Sequence, residues 1–185
     1  MKINTRKLTT CAVLVALSSV LGMITVFTMP LGGSVTLLSM LPVCLVSIKY
    51  GIKTGFACSF IFSLVQLLTG FSALMSWGLT PAVLIGSFFL DYIIAFSVLG
   101  FSGIFGKKTP FRICFGICFA MALRFLSHFL SGVILFGAVA PEGWNPAVYS
   151  LCYNGAYMLP EMIFTAIGAF AIFRLPSTSK IITEN

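Results

Sequence analysis

The sequence predicts an all-α integral membrane protein, six transmembrane helices in a single membrane domain over residues 1–185, with both termini in the cytoplasm. Three observations predict it. Of the residues, 59% are hydrophobic and 8% charged, with a mean hydropathy of +1.09, whereas soluble domains carry roughly 25% charged residues. Apolar runs recur six times, and about 20 apolar residues suffice to cross a bilayer as helix. Finally, the basic residues gather at alternate connections between those runs, as the distribution of Lys and Arg across a membrane requires.

The runs cover 8–28, 35–50, 52–70, 80–105, 111–138 and 147–174. Met1 to Lys7 is basic and leads straight into the first run, a start that predicts no cleaved leader. The second run is short for a span and is expected to be tilted or partly interfacial. Breakers separate the runs: Pro30 with Gly32 and Gly33, Gly51, Gly70, Gly78 with Pro81, Gly106 with Pro110, and Pro141 to Pro146. Lys2, Arg6 and Lys7 precede the first run, and Lys49 and Lys53 flank the second connection. Lys107, Lys108 and Arg112 occupy the fourth, and Arg174 and Lys180 follow the last run. Ten of the eleven basic residues therefore share one side, which the positive-inside rule makes cytoplasmic. That distribution accounts for the net charge of +7 and leaves no role for nucleic acid. The six cysteines lie in or beside apolar runs without metal-ligand spacing and read as packing residues. No phosphate-binding GxxxxGK[ST] loop is present, and no internal repeat of the kind that builds many secondary transporters stands out.

The eleventh basic residue, Arg124, lies inside the fifth run, and the stretch Arg124 to Glu161 also holds the only His and three of the five Tyr. Ionisable groups in membrane-spanning helices cost free energy and are functional candidates by default. At ~1.5 Å of rise per residue, Asp91 lies about 16 Å below the outer surface, His128 about 15 Å, and Arg124 and Glu161 about 21 Å. On the same scale Tyr153 and Asn154 lie about 10 Å down. A pocket open to the outside follows. Arg124 and His128 share one face of their helix, while Asn154, Tyr157 and Glu161 form a stripe on the last, next to a kink expected at Pro160.

Several of these residues carry two readings. Arg124 is expected to neutralise Asp91 or Glu161, because an unpaired charge at that depth is expensive. His128 is either a core imidazole bonded to a carbonyl or a ligand contact. Tyr149 and Tyr153 are interface aromatics or pocket walls, and Trp77 and Trp144 read first as interface anchors. Asp91 is the strongest single candidate. With His128 neutral, Asp91, Glu161 and Arg124 sum to −1, which suits a small cation that also uses aromatic faces.

GGSVTLLSMLP after the first run, LDYIIAFSVLG in the fourth, and RFLSHFLSGVILFG, APEGW and YSLCYNGAYMLPE across the last two together resemble one family. This is the thiamine-specific substrate-binding (S) component of energy-coupling-factor vitamin transporters, and the resemblance covers nearly the whole chain. It implies the S-component fold and thiamine binding near the outer face. It implies that Asp91, followed by Tyr92, faces the thiazolium and aminopyrimidine. By the same resemblance His128 stacks on the ligand with Arg124 one turn earlier, Phe136 occupies a stacking position, and Tyr149 and Asn154 hydrogen-bond the pyrimidine. Tyr153, Trp144 and Glu161 complete the candidate substrate-binding set.

The chain also departs from the pattern. Phe136 and Asp91 stand where some members carry Trp and Glu, and Gly33 and Ser34 stand where some carry a Trp. These departures keep a thiamine precursor or another small vitamin open as ligand. The implied partners are a membrane coupling subunit and two ATPase subunits, which would hydrolyse the ATP; the chain itself is expected to be neither enzyme nor cofactor protein. Ala12 and Ala16 resemble the AxxxA motif with which such components dock, small residues four apart that allow close helix approach. Two readings from other classes remain, an intramembrane enzyme using Asp91, Glu161 and His128 as acid–base groups, and a structural subunit without ligand.

Overall fold

Proline and a polar cap punctuate the later helices in the same way. Thr80, Thr109 and Asn145 each precede a proline at the first helical position, and their side chains accept from the backbone N–H of Val83, Arg112 and Ala147. A proline there loses nothing, because the first N–H groups of a helix have no partner within it. The structure, a computed structural model, describes residues 4–176; Lys2 and Lys180 lie outside them. Six helices follow in order: α1 (Thr5–Gly22), α2 (Met40–Tyr50), α3 (Ile52–Ser76), α4 (Pro81–Gly103), α5 (Pro110–Ile134) and α6 (Pro146–Arg174).

The helices α3, α4, α5 and α6 are long and apolar enough to cross a bilayer. The first helix, with 18 residues, reaches about 27 Å. The second has only 11 residues, about 16 Å, and is shorter than a hydrocarbon core. It is not an interfacial helix. Met40, Leu41, Val43, Cys44, Val46, Ser47 and Ile48 are all buried, and α1, α3, α4 and α6 enclose it. A helix that is apolar all round belongs in a core.

Small polar residues allow that close packing. Ser18 accepts from the Val43 N–H at 3.0 Å, Ser102 donates to the Cys44 carbonyl at 3.0 Å, and Ser47 donates to the Gly100 carbonyl. Phe62, Leu99, Ile113, Ile117 and Ala169 fill the space around them.

Four boundaries differ from the sequence reading. The first helix stops at Gly22, and residues up to Thr36 form a hairpin of β1 (Thr25–Thr28) and β2 (Ser34–Thr36) around a 3-10 turn at Pro30–Gly32. Ile24, Val26 and Phe27 are apolar enough to extend a hydropathy run to Thr28, yet the β-branched Thr25, Val26, Thr28, Val35 and Thr36 favour extended backbone. The second helix accordingly starts at Met40 instead of 35. The third runs through Gly70 to Ser76, since a single glycine costs a helix only about 1 kcal/mol. The fifth ends at Ile134, where the Ser131 carbonyl accepts from both Leu135 and Phe136 and turns the chain.

The fourth helix also changes type along its length. It is α-helical to Ser87, π-helical over Phe88–Ile94, and tightens to 3-10 geometry over Val98–Gly103. At one end of the bundle Lys7 and Lys49 both lie over the Tyr50 ring, at 5.4 and 5.5 Å from its centre, which brings the start of α1 and the end of α2 together. At the other end the hairpin meets α6.

Candidate functional site

A cavity of about 550 Å³ lies between the hairpin, α3, α4, α5 and α6, within the range of small-molecule sites. Its α4 wall carries Asp91. Both oxygens of that carboxylate are held from α5: Oδ1 lies 3.1 Å from His128 Nδ1, and Oδ2 accepts from Ser131 at 2.7 Å. His128 Nε2 is buried and has no hydrogen-bond partner among the described residues. Tyr92, next on α4, also lines the cavity.

Deeper in, Arg124 Nη1 lies 3.5 Å from Glu161 Oε2, with the two side chains 6% and 1% exposed. The guanidinium lies over the Phe96 ring, 4.5 Å from its centre. Glu161 Oε1 accepts from Thr36 at the end of β2, and Thr36 in turn contacts the Ser39 hydroxyl. One buried carboxylate thus joins the hairpin, α5 and α6. Of the two partners open to Arg124, Glu161 is the one it takes.

The α6 wall is a ladder of aromatic rings. Tyr149 and Tyr153 lie 6.0 Å apart, Tyr153 and Tyr157 5.9 Å, and Tyr157 meets His128 edge-on at 6.2 Å. Tyr157 donates to Asn154 Oδ1 at 2.8 Å, and Asn154 Nδ2 donates to the Ser150 carbonyl at 2.9 Å. The amide of Asn154 is therefore engaged with its own helix and its neighbour. Two glycines make this wall possible. A Cβ on Gly132 would lie 2.2 Å from Ser150 Oγ, so only glycine lets α5 approach α6 there. A Cβ on Gly33 would lie 2.8 Å from Tyr157 and 2.9 Å from the Tyr153 hydroxyl. That hydroxyl accepts from the Gly33 N–H at 3.1 Å and donates to the Pro30 carbonyl, which ties the hairpin to α6.

The chain matches the thiamine transporter protein family (Thia_YuaJ) over residues 8–181. The chain belongs to the thiamine transporter protein family. Its curated relatives include thiamine transporter ThiT of Bacillus subtilis, 34% identical over 157 residues, which are 78% of this chain and 77% of that protein. Thiamine transporter ThiT of Lacticaseibacillus paracasei is 33% identical over 90 residues, covering 42% and 45% of the two chains. The solved structure of ThiT from Listeria monocytogenes superimposes with a TM-score of 0.76 at 26% identity, over 95% of this chain and 99% of that one. With its long apolar helices, this member of the thiamine transporter family is a multi-pass membrane protein.

In this thiamine transporter family chain, Asp91, Tyr92, Arg124, His128, Phe136, Tyr149, Tyr153, Asn154 and Glu161 all line the cavity. Trp144 does not; it is 52% exposed in the turn before α6. The cavity is lined by Trp77 instead, at the end of α3, whose ring meets Phe136 edge-on at 6.4 Å. Position relative to an apolar run cannot separate those two tryptophans, since both sit in outer connections.

The sequence reading also left out α3 altogether, which contributes Gln66, Thr69 and Gly70. A signal was available: Gln66 is the only glutamine in the chain and stands in the middle of an apolar helix. Tyr157 belonged to the stripe read on the last helix and joins the wall as well. Among the described residues no group of three or more His, Cys, Asp or Glu side chains could hold a metal.

Proposed function

We propose that this chain is the substrate-binding membrane subunit of an energy-coupling-factor importer, and that it takes up thiamine from the outer face into the cavity between the hairpin and α3 to α6. The observation that carries this reading is the fixed carboxylate of Asp91 on the wall of an aromatic-lined cavity. Arg124 and Glu161 cancel each other, so with His128 neutral Asp91 leaves the site at −1. Thiamine is a flat cation with two rings. A fixed anion and ring faces at stacking distance satisfy both of its features, and the attraction is strengthened where water is excluded.

Each wall then has a task. Asp91 holds the cationic and aminopyrimidine groups, His128 Nε2 offers a further polar contact, and Trp77, Phe136 and the tyrosine ladder enclose the rings. The hairpin forms the outer cover.

Transport needs energy from elsewhere, and a coupling subunit with two ATPase subunits supplies it in this reading. Ala12 and Ala16 lie on the exposed face of α1 beside the exposed Val13 and Leu17, a surface that a neighbouring helix can approach closely.

Thiamine titration of the purified chain tests the proposal. Saturable quenching of tryptophan fluorescence is expected. Trp77→Phe should remove most of the quench while calorimetry still detects binding, because Trp144 does not line the cavity. Competition among thiamine, its pyrimidine moiety and riboflavin identifies the ligand. No saturable binding of any of the three would sink the assignment.

A further inference from the structure

The fourth helix departs from α geometry at Asp91 and its neighbours. A π-helical stretch closes its hydrogen bonds over five residues instead of four and fits in one extra residue. Each residue is worth roughly 100° of rotation about the helix axis, so the insertion changes which face later side chains present. Such a bulge is less stable than plain helix and persists where something outside it holds it.

Two serines of α5 are placed to do so. Ser127 donates to the Leu90 carbonyl at 2.6 Å, and Ser131 donates to Asp91 Oδ2 at 2.7 Å. Both are buried. Serine and threonine hydroxyls in a helix ordinarily fold back onto the carbonyl four residues earlier, as Thr10, Ser19 and Thr165 do here. Ser127 and Ser131 instead reach across to α4, one to its backbone and one to its acid. They alternate with the polar residues of the same face, in the order Arg124, Ser127, His128, Ser131, at spacings of three, one and three.

We propose that Ser127 and Ser131 are positioning residues for the binding site: Ser127 holds the π-helical turn of α4, and Ser131 holds the second oxygen of Asp91. His128 alone would leave the carboxylate free to swing about one contact. With both oxygens held, it meets the cation without first having to be ordered, and the ordering cost falls outside the binding step. This rests on the thiamine reading above, and neither serine needs to touch the ligand.

The test is a double-mutant cycle on the full chain, with thiamine affinity read by calorimetry. Ser131→Ala is expected to bind about tenfold more weakly, the size typical of losing a hydrogen bond to a charged group. Ser127→Ala is expected to bind about threefold more weakly, as for a neutral one. Ser131→Thr, which keeps the hydroxyl, should recover most of the loss. On an Asp91→Asn background, Ser131→Ala should cost no more than about twofold, because its effect runs through Asp91. An undiminished loss on that background, or no loss in the single variant, overturns the proposal.

If Ser131→Ala does not fold, Ser131→Cys, with a weaker donor of similar size, carries the same cycle. If the parent chain does not bind thiamine, the function reading fails but the positioning claim is still decided. The Asp91 carboxylate stretch, isolated by infrared difference against Asp91→Asn, must then shift in Ser131→Ala, and an unmoved band overturns the claim.

Discussion

Two acid–base pairs lie in one cavity and have different fates. Arg124 and Glu161 form the deep pair, 6% and 1% exposed, and Glu161 is further occupied by Thr36. Asp91 and His128 form the outer pair, 20% and 12% exposed, and His128 Nε2 remains without a partner among the described residues. The deep pair fastens three elements and cancels its own charge. The outer pair keeps one face toward the cavity and gives it a net sign. Pairing an acid with a base by itself thus says little about role; what remains uncommitted after pairing says more.

Breaking the deep pair should produce the largest effect. Glu161→Gln leaves Arg124 buried without a counter-charge, which costs about 3–5 kcal/mol. Its thermal midpoint in detergent should fall sharply, and binding should fail along with the fold. Replacing both partners, as Arg124→Met with Glu161→Met, should restore much of that stability, since paired apolar residues of similar volume often match a buried ion pair. A double variant no more stable than the single one would show that Thr36, rather than charge, dominates at Glu161.

The outer pair should respond in the opposite way. Asp91→Asn and His128→Ala should each weaken thiamine binding by at least about tenfold, about 1.4 kcal/mol, while membrane insertion and thermal midpoint stay close to the parent. Titration beside a melting curve on the same preparation checks both halves. Equal losses of stability at the two pairs would erase the distinction between them.

A smaller effect is expected between the two. Tyr157→Phe removes the hydrogen bond to Asn154 and should cost about 1 kcal/mol of stability, with a modest loss of affinity through the ring ladder. Smallest of all, Trp144→Phe should leave affinity within about twofold, because an exposed ring outside the cavity has little to lose.

Much of this was legible in the residues themselves. Asp91, Arg124, His128 and Glu161 stand out because an ionisable side chain in an apolar run has few reasons to be there. The proline-led starts at Pro81, Pro110 and Pro146 are equally local, since they depend on backbone groups within one turn. The hairpin was missed because Ile24, Val26 and Phe27 prolong the apolar run, while the β-branched Thr25, Val26 and Thr28 favour extended backbone. The contribution of α3 was missed because only Gln66 signals it; Thr69 and Gly70 are ordinary residues that join a wall only once the other helices close the cavity.

What the sequence determined by itself was therefore class and inventory: a helical membrane chain, its four clearest spans, the family, and the polar groups too costly to be there by accident. Only the tertiary structure decided which acid Arg124 pairs with, that α2 is core, that Trp77 and not Trp144 faces the site, and that α4 opens into a π-turn at Asp91. The physical reason is one of range. Apolar content and helix caps are written within a few residues, whereas a buried charge selects its partner by how packed helices are rotated against one another, and no single segment carries that rotation.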